Sequence, residues 1–494
     1  MKIKHFLSLL LLSAGPLAAE VTVDPIFASD MVLQQGKIIP VTGKVTGNST
    51  DSISVSFAGQ HVTASITGDS WRAELQPLAA SAEGRTLTVT QGEQAIELNN
   101  ILVGEVWLAS GQSNMLWRLN QTGDRKAMAE ADIPNLRYFH NEPQIHTSPR
   151  HYTDAEKQKL MDGKMFVGSW AASTPQTCPR MSAVGFYFGR KLQETLGVPV
   201  GIIHSSLGGS EMMAWMPTSM TQEKYSDCLT PQWLESKYMS AWVRGRAKFN
   251  NKGDITAPHP YQPTYLYKTG IEPWVKFPIA GVIWYQGESD AEIQNQEQNT
   301  KLLTDLIQGW RTEFANPALP FLMVQLPRIK DNSPLRAYWP EFRQVQHNVA
   351  KALPGVDYIV TTDLGSTNSD VHPPRKLEVG ERLAHLAAAT VYDQKNSPAL
   401  SPVISEVRYH GKTAFVRFAN AKELSTTDGK PARHFELAGK DGKFYPASVT
   451  IHGNKLKLTA PEVKQAAGVR YAWATYLEPN LVNEHKLPAA PYAP

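Results

Sequence analysis

Gly104-Glu105-Val106-Trp107-Leu108-Ala109-Ser110-Gly111-Gln112-Ser113-Asn114-Met115 is the stretch on which the fold turns. Leu102 to Ala109 is an apolar run without alternation, the pattern of a strand buried on both faces. It ends in a turn of small residues that presents one hydroxyl, that of Ser113. Hydrolases built on such strands place a nucleophile there, exposed at the carboxyl end and close to helix-start amides. The G-x-S-x-G elbow is absent, however, and a serine in a strand-to-helix turn is more often a cap. Spacing alone leaves both readings open.

Downstream the pattern alternates between strands and helices. Met181, Val184, Phe188 and Leu192 recur at helical spacing, and Gly197 followed by Pro199 stops that helix. Val200 to His204, Ile279 to Tyr285, Phe321 to Leu326 and Tyr358 to Thr361 read as buried strands. Leu303, Ile307, Trp310 and Phe314 form one face of a second helix. Val379, Leu383 and Leu386 point inward from a third, Lys376 to Tyr392. Such alternation predicts an α/β domain with a mostly parallel sheet covered on both faces. Asn120 to Pro179 lacks clear periodicity and is expected to form excursions above the sheet, where α/β proteins place binding sites.

Upstream, Val21 to Asn100 reads as strands and turns, with Ser52 to Phe57 and Thr86 to Thr90 rich in β-branched residues. Turns are marked at Thr67-Gly68-Asp69 and Gln91-Gly92-Glu93. Strand signals return after Pro402, in Ala414 to Phe418, Ser448 to Ile451 and Val469 to Thr475. The expected division is a leader over 1–19, an N-terminal β-domain over 20–100, an α/β domain over 101–395 and a C-terminal β-module over 396–494. Lys2 and Lys4, the apolar Phe6 to Leu12, and Ala18-Ala19 have the order of a secretory signal cut after Ala19. Export to the periplasm or the medium is the expectation.

Composition narrows the function. Of 494 residues 42% are hydrophobic, with 12 Trp, 16 Phe and 17 Tyr, which excludes a largely disordered chain. A formal net charge of +3 provides no field for holding nucleic acid or an anionic membrane. Cys178 and Cys228 are the two cysteines; a bonded pair and two separate thiols both remain open.

Three further motifs follow strands. Ser205-Ser206-Leu207-Gly208-Gly209-Ser210 carries paired glycines whose amides could face a developing oxyanion, although a simple tight turn has the same composition. Trp284-Tyr285-Gln286-Gly287-Glu288-Ser289-Asp290 offers a side-chain amide from Gln286 and carboxylates from Glu288 and Asp290. Asp370-Val371-His372-Pro373-Pro374 pairs an imidazole with a carboxylate two residues away. A serine hydrolase needs a base beside the hydroxyl and an acid to orient it. Four loops at one sheet edge would supply the whole set.

These blocks together resemble the sialate O-acetylesterases, carbohydrate acetylesterases of the SGNH hydrolase superfamily. The resemblance also takes in Asp30-Met31-Val32-Leu33-Gln34 and Tyr471-Ala472-Trp473-Ala474. It implies a flavodoxin-like core flanked by β-modules, and ester hydrolysis on acetylated sialic acids with no metal and no cofactor. By the same resemblance Ser113 is the nucleophile and His372 the general base and acid. The amides of Ser113 and Gly209, with the Gln286 side chain, form the oxyanion hole. The superfamily's acid often precedes the histidine by three residues, where this chain has Ser369, so Asp370 takes the role with Glu288 and Asp363 in reserve. Leu207 stands where relatives often carry tryptophan. No sugar-binding residue is assigned. Trp117, Trp170, Trp215 and Trp274 are candidates for stacking or core, Arg125 and Arg180 for a carboxylate or plain solvation, and His204 reads as structural. The partner is an acetylated glycan. Acetylated xylan, and a carbohydrate-binding protein with an inactive core, are the alternatives.

Overall fold

The computed structural model describes residues 20–47, 51–394 and 396–494. The expected leader over 1–19 lies outside the described residues.

Six parallel strands form the centre: β1 (Gln94–Gly111), β2 (Ile133–His140), β3 (Val200–Ser206), β4 (Gly281–Tyr285), β5 (Phe321–Val324) and β6 (Val356–Ile359). Their spatial order is β2-β3-β1-β4-β5-β6, and Trp170–Ser173 adds an antiparallel edge beside β2. The helices are α1 (Ser113–Leu116), α2 (Ala183–Leu196), α3 (Gln296–Glu313), α4 (Trp339–Ala352) and α5 (Lys376–Thr390). Side chains alternate across the strands, so both faces are apolar. Trp107, Ala109, Ile202, Ile283 and Leu322 pack under α2 and α5 with Phe188 and Leu383. Val106, Leu108, Ile203, Trp284 and Met323 meet α3 and α4 through Leu306, Trp310 and Val345. This double burial is why the strands read as continuous apolar runs.

Two sequence expectations change. Asn120 to Pro179 is not only an excursion, since β2 enters the sheet from it and pairs with β3. Its first half, Ile133 to Asn135, is only partly buried or exposed, which broke the apolar pattern. The boundary at residue 100 falls inside β1. The first half of that strand forms a hairpin with Ser81–Gln91 across Gly92-Glu93, and its second half is the sheet centre. One strand therefore belongs to both units and couples them rigidly.

The C-terminal strands pack around their own core of Val416, Phe418, Leu437, Leu458, Val469 and Tyr471. They dock on the α/β unit through buried Arg343 of α4, which donates to Leu326 and Pro327 on one side and to Ala474 and Thr475 on the other. The strand expected over Val469 to Thr475 runs instead over Gly468–Tyr471. Cys178 and Cys228 are both free thiols, buried in different cores. Among the described residues no helix is long and apolar enough to cross a membrane.

Candidate active site

The register of the sheet builds the site. Ser206 of β3, Gly111 of β1 and Tyr285 of β4 lie level, so three loops leave the carboxyl edge side by side. These strands flank the point where the chain crosses from one half of the sheet to the other, the usual crevice of an open α/β sheet. A cavity of about 320 Å³ opens there, lined by Gln112, Ser113, Gly208, Gly209, Glu288 and His372, among others.

Ser113 is the first residue of α1. Among the described residues its hydroxyl has no hydrogen-bond partner, and neither its backbone N–H nor that of Gly209 is engaged by a protein acceptor. Gly209 has φ +72°, and a Cβ there would run into the Tyr261 hydroxyl and the Trp242 ring. Glycine is needed on both counts. The neighbouring Gly208 carbonyl is held by the Tyr261 and Thr147 hydroxyls at 2.8 and 3.1 Å.

His372 stacks on Trp117, with centroids 4.9 Å apart and planes 16° from parallel. Its Nδ1 lies 3.2 Å from Asp370 Oδ1, which also accepts the His372 backbone N–H at 2.9 Å. That leaves Nε2 for the cavity. Burial holds the imidazole below its ordinary value, and Asp370 opposes the shift. No hydrogen bond joins Ser113 and His372; such contacts often tighten only with substrate in place.

Beneath the cavity Asn114 ties three loops together. Its Nδ2 donates to Glu288 and, at 2.9 Å, to the Val371 carbonyl, while its Oδ1 accepts from Lys376 Nζ. Burial raises the Glu288 carboxyl and pushes the Lys376 ammonium down to about 7. Among the described residues no cluster of three His, Cys, Asp or Glu is arranged to hold a metal ion.

Ser113, Gly209, Asp370 and His372 are thus brought together as expected from sequence. Gln286 is not. Its Nε2 donates to Asp290 and, at 3.2 Å, to the Ser210 carbonyl, and the residue is 1% exposed behind the cavity wall. Of the reserve acids, Glu288 is turned to Asn114 and Asp363 is clamped by Arg382 at 2.6 and 2.8 Å. Trp170, Trp215, Trp274 and Leu207 are core, and Arg125 and Arg180 do not line the cavity. His204 is buried against His140. Sequence reading missed Trp242, Arg246, Thr147, Tyr261 and Arg336, which line the walls. Trp242 and Arg246 stand four apart on helix Ala241–Asn250, with the guanidinium 4.9 Å from the indole. That i,i+4 spacing was the available signal.

Residues 103–389, more than half of the chain, match the family described as carbohydrate esterase, sialic acid-specific acetylesterase. The chain belongs to this carbohydrate esterase family. A crystal structure of a carbohydrate acetylesterase from Xanthomonas citri is similar to this esterase, with a TM-score of 0.79 and 30% identity. The match covers 96% of this chain and 99% of the other. Sialate O-acetylesterases of Homo sapiens and Mus musculus are each 25% identical, over 484 and 413 residues. Those matches span 91% and 77% of the esterase, and 86% and 74% of the relatives.

Proposed function

We propose that the esterase releases acetate from O-acetylated sialic acids through an acetyl-serine intermediate. The observation that carries this reading is the shared cavity of Ser113, Gly209 and His372 at the level ends of three parallel strands. His372 Nε2 takes the Ser113 proton as Oγ adds to the acetyl carbonyl, and the Asp370 carboxylate steadies the imidazolium. The Ser113 and Gly209 amides bind the oxyanion. His372 then returns the proton to the departing sugar alcohol, and water, activated by the same ring, releases acetate. The Trp242 face suits a sugar ring, and Arg246, 4.9 Å from it, puts positive charge beside it, which suits an acidic sugar, whereas Arg336 is paired with Glu292 at 2.9 Å.

A neutral acetylated polysaccharide such as acetylxylan is the second reading. It follows the similarity to the carbohydrate acetylesterase of Xanthomonas citri, 30% identical along nearly the whole chain. The core is read as flavodoxin-like and SGNH-type: leaving out the inserted β2, the remaining strands have the order 2-1-3-4-5. An N-terminal β-unit and an esterase domain that share β1, the β-module over 396–494 and export by the leader belong to the same reading.

Acetate release by the wild type and by Ser113→Ala, run side by side on 9-O-acetylated sialic acid and acetylated xylan, tests it. Ser113→Ala and His372→Ala should fold normally and lose about 10⁴-fold or more of kcat. Wild-type turnover in either variant overturns the mechanism, and release from xylan alone replaces the substrate.

A further inference from the structure

With Gln286 committed behind the wall, the oxyanion hole has two backbone donors and an open third position. Gln112 precedes Ser113 and is among the residues that line the same cavity. Its Oε1 accepts the backbone N–H groups of Gly287 and Ser289 at 3.3 and 3.5 Å. Those two donors settle which way the amide lies, since the flipped amide would set N–H against N–H. The Nε2 group is therefore turned away from the 287–289 loop. Among the described residues it has no protein acceptor, and it is not among the fully enclosed polar atoms.

The surroundings hold it there. Gln112 N donates to the Tyr285 carbonyl at 3.0 Å, and its own carbonyl accepts from Met115 and Leu116 at the start of α1. Ser289 Oγ donates to the Gly209 carbonyl at 3.2 Å, tying the loop that grips Gln112 to the loop that carries the glycine amide. The side chain is bracketed between the two, and its residue is only 3% exposed.

We propose that the Gln112 side-chain amide, and not that of Gln286, is the third donor to the oxyanion, beside the backbone N–H groups of Ser113 and Gly209. As Ser113 Oγ bonds to the acetyl carbon, the carbonyl π pair moves onto oxygen and the serine proton moves to His372. Gln112 donates a hydrogen bond to that oxygen and transfers no proton. Gln286 is a strut between the glycine loop and Asp290. The proposal rests on Ser113 being the nucleophile.

Gln112→Glu keeps the acceptor facing Gly287 and Ser289 but removes the donors; Gln112→Met removes both at similar length. Each should lose about 10²–10³-fold in kcat with KM changed by no more than about threefold. A small alkylboronic acid, whose tetrahedral adduct on a reactive serine mimics the charged intermediate, should bind both variants more weakly by the same factor. Gln286→Met should keep kcat within about tenfold of the wild type and melt earlier. Folded Gln112 variants with near-normal kcat, or with unchanged boronate affinity, overturn the proposal while Ser113→Ala remains inactive. An active Ser113→Ala removes the nucleophile on which it stands.

Discussion

Asp370 and Glu288 both stand one loop away from Ser113, yet one is open to solvent and the other is almost fully buried. The Asp370 side chain is 55% exposed and serves His372 alone, through the ring Nδ1 and the backbone N–H. Glu288 is 3% exposed, bonded to Asn114 and in the field of buried Lys376. A histidine that must gain and lose a proton in each turnover is better served by a wet carboxylate, whose charge costs little to maintain. A dry carboxylate with an amide and an ammonium makes a fixed tie, because moving any member leaves a buried polar group unpaired. In the proposed mechanism the Asp370–His372 pair carries the chemistry. The lower trio holds the nucleophile turn, the Gln286–Asp290 loop and the histidine loop in one arrangement.

The largest expected effect tests this division directly. Asp370→Asn should lower kcat by about 10³–10⁴-fold, equivalent to about 4–5 kcal/mol, with little change in melting temperature. Glu288→Gln should do the opposite, melting earlier with a smaller kcat loss. If kinetics and calorimetry return the reverse pattern, Glu288 is the acid and the comparison breaks.

Lys376→Met comes next. Leaving Asn114 Oδ1 without its Nζ donor should destabilise the fold by about 1–3 kcal/mol in denaturant titrations above pH 8, where the folded-state amine is mostly neutral and still donates. The pH dependence sharpens it. Burial lowers the Lys376 ammonium to about 7, whereas the unfolded chain keeps it near 10.5. Between those values the unfolded chain binds the extra proton, so this residue's contribution makes stability rise with pH. The methionine variant should lose that rise.

The smallest effect is on the acid limb of kcat/KM. His372 lies below its ordinary value, and Lys376 and Arg336 help to hold it there while Asp370 raises it. Lys376→Met should therefore move the limb to higher pH, and Asp370→Asn, in its residual activity, to lower pH. Each shift should be a fraction of a pH unit. Equal limbs in all three proteins would mean that another group titrates there.

What was legible in the sequence follows from how each residue is constrained. The second half of β1 from Ile101, and β3, β4 and β5, are buried on both faces and read as apolar runs, whereas β2 opens with Ile133, Pro134 and Asn135 and did not. Ser113, Gly209, Asp370 and His372 were legible because each directly follows or closely flanks a strand or helix whose signal is strong. Trp242, Arg246 and Thr147 come from excursions whose own pattern says nothing about where they return. Gln286 and Gln112 show the same limit in one residue type. Both have a carboxamide beside a strand end, and only their partners decide which faces the cavity.

The sequence by itself determined the alternating α/β order, the flanking β-units and four chemistry-bearing turns, because burial and turn geometry are local demands on residue type. Tertiary structure decided which side chain of each turn is free to act. A hydrogen bond made behind the wall removes Gln286 from the cavity, and one made along it turns Gln112 inward. Solvent exposure at Asp370 and burial at Glu288 separate two carboxylates that composition treats alike. Those outcomes depend on atoms from strands far apart in the chain, and only the level ends of β3, β1 and β4 bring them within reach of one another.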